Sequence, residues 1–287
     1  MTPTRKRFIE MMELKGYTEH SIRNYTQAVA ALALYHNKSP LTLNDEDIRV
    51  FLLHIKRERR VAPRTFNIYY YGIRAFYSIM MPDSNICIPF KRLRVKDGLP
   101  VIPSKEEVEM LLYEAKNIRD RVVIAVLYSS GVRLSECTNL KLTDIDSKRM
   151  VIRVEQGKGK KDRYTLLSER TLLLLREYCR KHRPKCHLFE KTSGKVLTIR
   201  SIERIVRDTC RRTSIKKNIT PHILRHAFAT HLLEDGVQIQ YIQKLLGHSN
   251  IKTTLRYTHV SMELIKEVKS PFDSLDKTKT GEEVLNG

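Results

Sequence analysis

The chain has 287 residues, of which 41% are hydrophobic and 30% charged, and its formal net charge at pH 7 is +21. That length accommodates two domains, and that balance excludes a disordered chain in favour of a globular one. A charge so far from zero calls for a polyanion partner, nucleic acid before a membrane surface, because there is no lipidation motif and no strongly amphipathic basic tail; nor is there an apolar run near the length of a membrane span or an N-terminal secretory pattern.

The excess is spread along the chain. Residues 1–97 carry 17 Lys and Arg against 9 Asp and Glu, and the remainder 36 against 23, so both halves are expected to touch the polyanion. Five scattered cysteines with no C-x-x-C pattern fit reduced thiols in a cytoplasm better than a disulfide framework or a zinc ribbon.

Residues 4–81 read as a helical domain. Phe8, Met11, Met12 and Leu14 begin it, and Ile22, Tyr25, Val29 and Leu32 recur at helical steps. Asn44 is placed to cap a third helix with Ile48, Phe51, Leu52 and Ile55 inward, and Pro63 to open a fourth whose apolar face runs from Phe66 to Met80. The tyrosines at 69–71 suit either a base-stacking surface or core, and their spacing beside Phe66 and Phe76 favours core. The polar positions are basic (Arg23, Lys56, Arg57, Arg59, Arg60, Arg64, Arg74), which suits phosphate contacts and a salt-dependent affinity.

Four prolines between Pro82 and Pro103, with the basic run Lys91 to Arg94, mark a boundary. An extended segment from Pro89 to Pro103 reaches on the order of 40 Å, enough to pass around a duplex. The second domain then opens on a capping box, Ser104 to Glu107. Residues 120–128 are nearly all apolar and predict a buried helix stopped by Gly131. Arg133 follows at once. A guanidinium beside a buried helix needs an anionic partner, and Glu136 at i+3 is the bland candidate. Two β-rich runs, 150–155 and 164–167, flank the basic, glycine-containing segment 156–163, which predicts a β-hairpin with a basic tip. The tip lacks the G-x-x-x-x-G-K-[ST] spacing of a phosphate-binding loop. Residues 168–182 and 198–212 predict two more helices, the second rich in arginine, and 261–269 a last one.

Thr220 and Pro221 predict a helix start and Gly236 its stop; His222, Arg225 and His226 share one face of that helix. A short helix ending at Gly247 sets His248 just past a helix C-terminus, and Tyr257 lies nine residues further on. Three readings compete. The residues are ordinary half-buried ones; or His222 and His226 ligate a metal, against which Ile223 stands where a zinc protease has Glu; or an Arg, His groups and a Tyr form a phosphodiester site.

The ordered set His222-x-x-Arg225-His226, Leu246-Gly247-His248 and Tyr257, together with Gly131-x-Arg133-x-Ser135-Glu136, resembles the signature of the tyrosine recombinases, the phage-integrase and Xer-like family. The resemblance implies a mainly α fold with a small β-hairpin or sheet in the second of two domains. Residues 1–90 would be a helical, SAM-like core-binding domain, 91–103 a basic linker, 104–275 the catalytic domain and 276–287 a disordered tail. It further implies cutting and rejoining of double-stranded DNA through a 3′-phosphotyrosine and a Holliday junction, by a homotetramer on two sites, in the cytoplasm, with no metal, cofactor or ATP. Tyr257 would be the nucleophile and His222 the general base. Arg133 and Arg225 would grip the phosphate, His248 would donate to it, and Lys158 would be general acid, with Lys160 and Lys161 its rivals. His226 and His231 stay outside this set. A type IB-like topoisomerase and a non-catalytic DNA-binding relative are the alternatives.

Overall fold

The computed structural model describes residues 2–84, 86, 91–95, 101–155, 162–190, 194–248 and 254. The chain divides into two compact units, Met1–Gly98 and Leu99–Gly287.

Among the described residues, the first unit packs four α-helices: α1 (Pro3–Leu14), α2 (Glu19–His36), α3 (Asp45–Arg57) and α4 (Pro63–Met80). Their starts are written in the sequence. Thr2 and Thr18 accept from the backbone N–H three residues on, Asn44 and Asp47 form a reciprocal capping box, and Pro63 opens α4. Each side-chain cap contributes about 1 kcal/mol. The core is aliphatic and aromatic, with the Phe8 and Phe76 rings edge to face at 5.1 Å. Tyr70 belongs to that core, and Tyr69 and Tyr71 pack half-buried against it, so residues 69–71 serve packing. Leu14, the last residue of α1, is 83% exposed. The side-chain amide of Asn67 donates to the Leu93 carbonyl and accepts from its N–H, at 3.0 and 2.8 Å, which pins part of the basic run to α4.

The second unit is built around α6 (Ile118–Ser130), a helix with no polar stripe: Val122 to Leu127 are all buried. A helix apolar all round belongs inside. Around it stand α5 (Lys105–Tyr113), α7 (Leu134–Asn139), α8 (Glu169–His182), α9 (Ile199–Cys210), α10 (Pro221–Glu234) and α11 (Ile239–Leu246). Among the described residues, three short antiparallel strands pair in the order β1 (Ile145–Asp146), β2 (Val151–Val154), β3 (Arg163–Leu166). The sequence predicts only the second and third strands; β1 has two residues, too few to show a period of two. β3 is tied to α6 by the Thr165 hydroxyl, which donates to the Ser130 carbonyl at 2.6 Å. Among the described residues, no helix is long and apolar enough to cross a membrane.

Candidate active site

Gly131 closes α6 with φ +60°, a backbone conformation that costs an L side chain about 1–2 kcal/mol. A Cβ there would also lie 2.3 Å from the Phe228 ring. α10 therefore comes down directly on the end of α6, and Arg225, one turn before Phe228, reaches the freed carbonyls. It is 3% exposed. Its guanidinium donates to the Gly131 carbonyl, and its Nη2 donates to the Leu246 carbonyl at 2.7 Å. Both acceptors sit at helix C-termini, the negative ends of α6 and α11, where a buried cation is stabilised.

Arg133 is the N-cap of α7, and its guanidinium remains a quarter exposed. Its Nη1 donates to Glu136 Oε1 at 2.7 Å, and its Nη2 to the Gly247 carbonyl at 3.2 Å. Arg163, the first residue of β3, binds Glu136 as a fork, Nη1 to Oε1 and Nη2 to Oε2, both at 2.8 Å. Its Nε donates to the Leu245 carbonyl, again at 2.8 Å. Three successive carbonyls at the end of α11, those of residues 245, 246 and 247, thus each receive a different arginine.

Glu136 is the shared counter-ion. It also accepts the Arg133 backbone N–H at 2.6 Å, and the Arg225 guanidinium stands 3.9 Å from it. Burial by itself would raise its pKa, but the Arg163 fork and the Arg133 contacts outweigh burial and hold the carboxyl at about 2. Three positive groups face one negative group, so the cluster keeps a net positive charge, and Arg133 is its most open member.

His248 follows Gly247, whose φ of +63° turns the chain out of α11. Burial, then Arg225, Arg133 and Arg163, push the imidazole down to about 4, so it is neutral at pH 7. Its Nε2 lies 3.2 Å from Arg225 Nη2, which can only donate. Nε2 is therefore the acceptor, and the ring proton sits on Nδ1, 3.0 Å from the Thr254 hydroxyl. His222 is exposed in the first turn of α10, with its Nε2 2.9 Å from Nε2 of His226. One N–H must lie between those two rings.

The sequence pattern described as the phage integrase family matches residues 103–263, and that of the phage integrase N-terminal SAM-like domain matches residues 5–83. The integrase/recombinase y4qK of Sinorhizobium fredii is 36% identical over 283 residues, covering 96% of this chain and 91% of the relative. The tyrosine recombinase XerC of Staphylococcus epidermidis is 32% identical over 93% of this chain and 96% of its own length. Among solved structures, the XerA recombinase matches with a TM-score of 0.56 at 29% identity, covering 92% of this chain and 95% of the other. The Tn1549 transposon integrase, at 20% identity, shares the fold with a TM-score of 0.70, covering 96% and 97%.

The chain belongs to the phage integrase family and is a tyrosine-type site-specific recombinase. The recombinase brings Arg133, Arg225 and His248 to one place, the C-terminal end of α11: Arg133 bonds the Gly247 carbonyl from 114 residues away in sequence, and Arg225 meets His248 from 23. His222 sits three residues before Arg225 on α10. Lys158 and Tyr257 lie outside the described residues. His231, set aside on sequence grounds, bonds the Tyr128 hydroxyl at 2.8 Å and ties α10 to α6. His226, also set aside, is coupled to His222. Arg163 is the residue that sequence reasoning left out, being counted with the basic hairpin tip. The signal was present: Arg163 and Thr165 are two apart on one strand and share a face, and Thr165 is 1% exposed.

Proposed function

We propose that this recombinase cleaves double-stranded DNA through Tyr257, which becomes joined to a 3′ phosphate, and that it exchanges strands by way of a Holliday junction. The observation that carries this reading is the cationic cluster: Arg133 and Arg225, oriented by Glu136 and two helix ends, with charge to spare for a phosphodiester. A phosphodiester gains negative charge on its non-bridging oxygens as the nucleophile arrives. Preorganised guanidinium forks stabilise that charge without reorganising.

The roles follow from the chemistry. The phenol of Tyr257 has an ordinary pKa near 10 and needs a base. His222 takes its proton, and the 2.9 Å contact with His226 gives that proton an onward partner. Lys158 protonates the leaving 5′ oxygen. In the DNA-free state Nε2 of His248 accepts from Arg225. When the phosphate arrives, its negative charge raises the imidazole pKa, so Nε2 takes a proton and donates to it. The phosphotyrosine conserves the energy of the broken bond, so rejoining to another 5′ hydroxyl asks for neither ATP nor a metal.

Residues 1–90 serve as the core-binding domain, 91–103 as a basic linker and 104–275 as the catalytic domain, with 276–287 a tail. The two domains hold the duplex chiefly by its phosphates. Four protomers act on two sites, in the cytoplasm. XerH, with 23% identity to this chain, has been captured on its difH substrate in a post-cleavage complex.

The test is covalent capture. Duplex fragments of the source genome are incubated with the protein, and SDS-resistant adducts are recovered and sequenced. The reading expects one recurrent sequence with wild-type protein and no adduct with Tyr257→Phe; adducts that persist in that variant overturn it. Plasmids with two copies of the recovered duplex should be resolved, whereas relaxation alone would indicate a topoisomerase.

A further inference from the structure

We propose that Arg163 is a positioning residue for cleavage, acting through Glu136 and the Leu245 carbonyl to hold Arg133 and Arg225 at the phosphate. The inference rests on the phosphodiester reading above and goes beyond it, since that reading gives this side chain no role.

Two observations carry it. The first is the sharing of one carboxylate. Arg163 occupies both Glu136 oxygens at 2.8 Å, while the Arg133 guanidinium holds one of them at 2.7 Å and Arg225 stands 3.9 Å away. Without the Arg163 fork, each oxygen of this buried carboxylate would lose one donor and keep only its Arg133 contact, the guanidinium on Oε1 and the backbone N–H on Oε2. Arg133, the most exposed of the three guanidiniums, would be the nearest cation able to turn onto the vacated positions. It would then close a two-pronged pair with Glu136 and leave the position from which it meets substrate. Arg163 thus satisfies Glu136 while leaving Arg133 only one prong in it.

The second is the mechanical link. Arg163 donates to the Leu245 carbonyl, one residue before the carbonyl held by Arg225 and two before the one held by Arg133. Its stem also lies against Gly247: a Cβ on that glycine would come within 2.7 Å of Arg163 Cδ. The side chain is 9% exposed, so it is wedged between β3, α7 and the end of α11 rather than waiting for DNA. It fixes the turn from which His248 departs, and it fixes the carboxylate on which both other arginines register. A displacement of about 1 Å in such a group is enough to slow a reaction about 100-fold.

The experiment uses the full chain and the duplex recovered by covalent capture, nicked so that cleavage is trapped. Wild type, Arg163→Gln, Arg163→Lys, Glu136→Gln and the Arg163→Gln/Glu136→Gln double variant are compared in single-turnover adduct formation, DNA affinity and thermal melting. The same rates are measured on a duplex with a methylphosphonate at the scissile position, which lacks one non-bridging charge. Arg163→Gln should slow adduct formation about 100-fold while DNA affinity changes less than about threefold. The double variant should be no more than about threefold slower than Glu136→Gln, because Arg163 works through that carboxylate. The methylphosphonate should shrink the Arg163→Gln deficit to about tenfold or less, since fewer charges then need the displaced arginines.

If Arg163→Gln does not fold, Arg163→Lys decides. Lysine keeps the charge but cannot span both oxygens, so it should keep its melting temperature and lose cleavage. The inference is overturned by a variant that folds and cleaves within threefold of wild type. It is overturned equally by a deficit matched in affinity, by additivity in the double variant, or by a deficit unchanged on the methylphosphonate. Failure of wild type itself to form an adduct would instead overturn the phosphodiester reading.

Discussion

Replacing Glu136 by Gln should destabilise the second unit by about 3 kcal/mol at pH 7. The magnitude comes from linkage. The carboxyl pKa moves from an ordinary 4.5 to about 2 on folding, and each tenfold gain in acidity is worth about 1.4 kcal/mol. The group is 8% exposed, so little of this is lost to solvent screening. Ion-pair energetics give the same size: removing one partner of a buried pair costs about 3–5 kcal/mol, because the remaining charges stay buried. Gln cannot accept on both sides, and its amide would point a donor at guanidinium N–H groups. The sign with pH is fixed by the lowered value. The contribution is complete well above pH 4.5 and is lost as pH falls toward 2, so the gap between the proteins should shrink by about two-fifths between about pH 7 and pH 3.5. Hydrogen exchange of the α6 amides in increasing urea isolates this unit from the other. A gap under about 1 kcal/mol at pH 7, or one that widens on acidification, would refute the reasoning.

Arg133→Lys should keep DNA affinity within a few-fold and lose about 100-fold or more in adduct formation, since an ammonium cannot hold Glu136, the Gly247 carbonyl and a phosphate in one plane. His248 should titrate near 4 in the DNA-free protein by histidine NMR, below its ordinary value; this makes folding less favourable as pH drops from 6.5 toward 4, because the unfolded chain takes up the proton first. Gly131→Ala should cost about 2–4 kcal/mol of stability in denaturant, from a side chain forced to φ +60° and from contact with Phe228. It should also slow cleavage, since Arg225 registers on the carbonyl of the same residue.

The sequence by itself determined the local structure, because caps, stops and periodic apolar faces are written in near neighbours. Asn44, Ser104 and Thr220 each cap the helix they precede, and the apolar run 122–127 reads as an interior helix. The family was legible too, since its signature residues stand at fixed spacings along the chain. β1 was not legible, because two residues carry no period. Tertiary structure alone decided who shares the Glu136 carboxylate. Its i+3 partner Arg133 was foreseeable, whereas Arg163 lies 27 residues away and Arg225 reaches it only because α10 packs on the end of α6. Counting charges along a chain gives their sum. Which cations converge on one buried anion, and which of them stay open to a phosphate, depends on where the helix ends deliver their unpaired carbonyls.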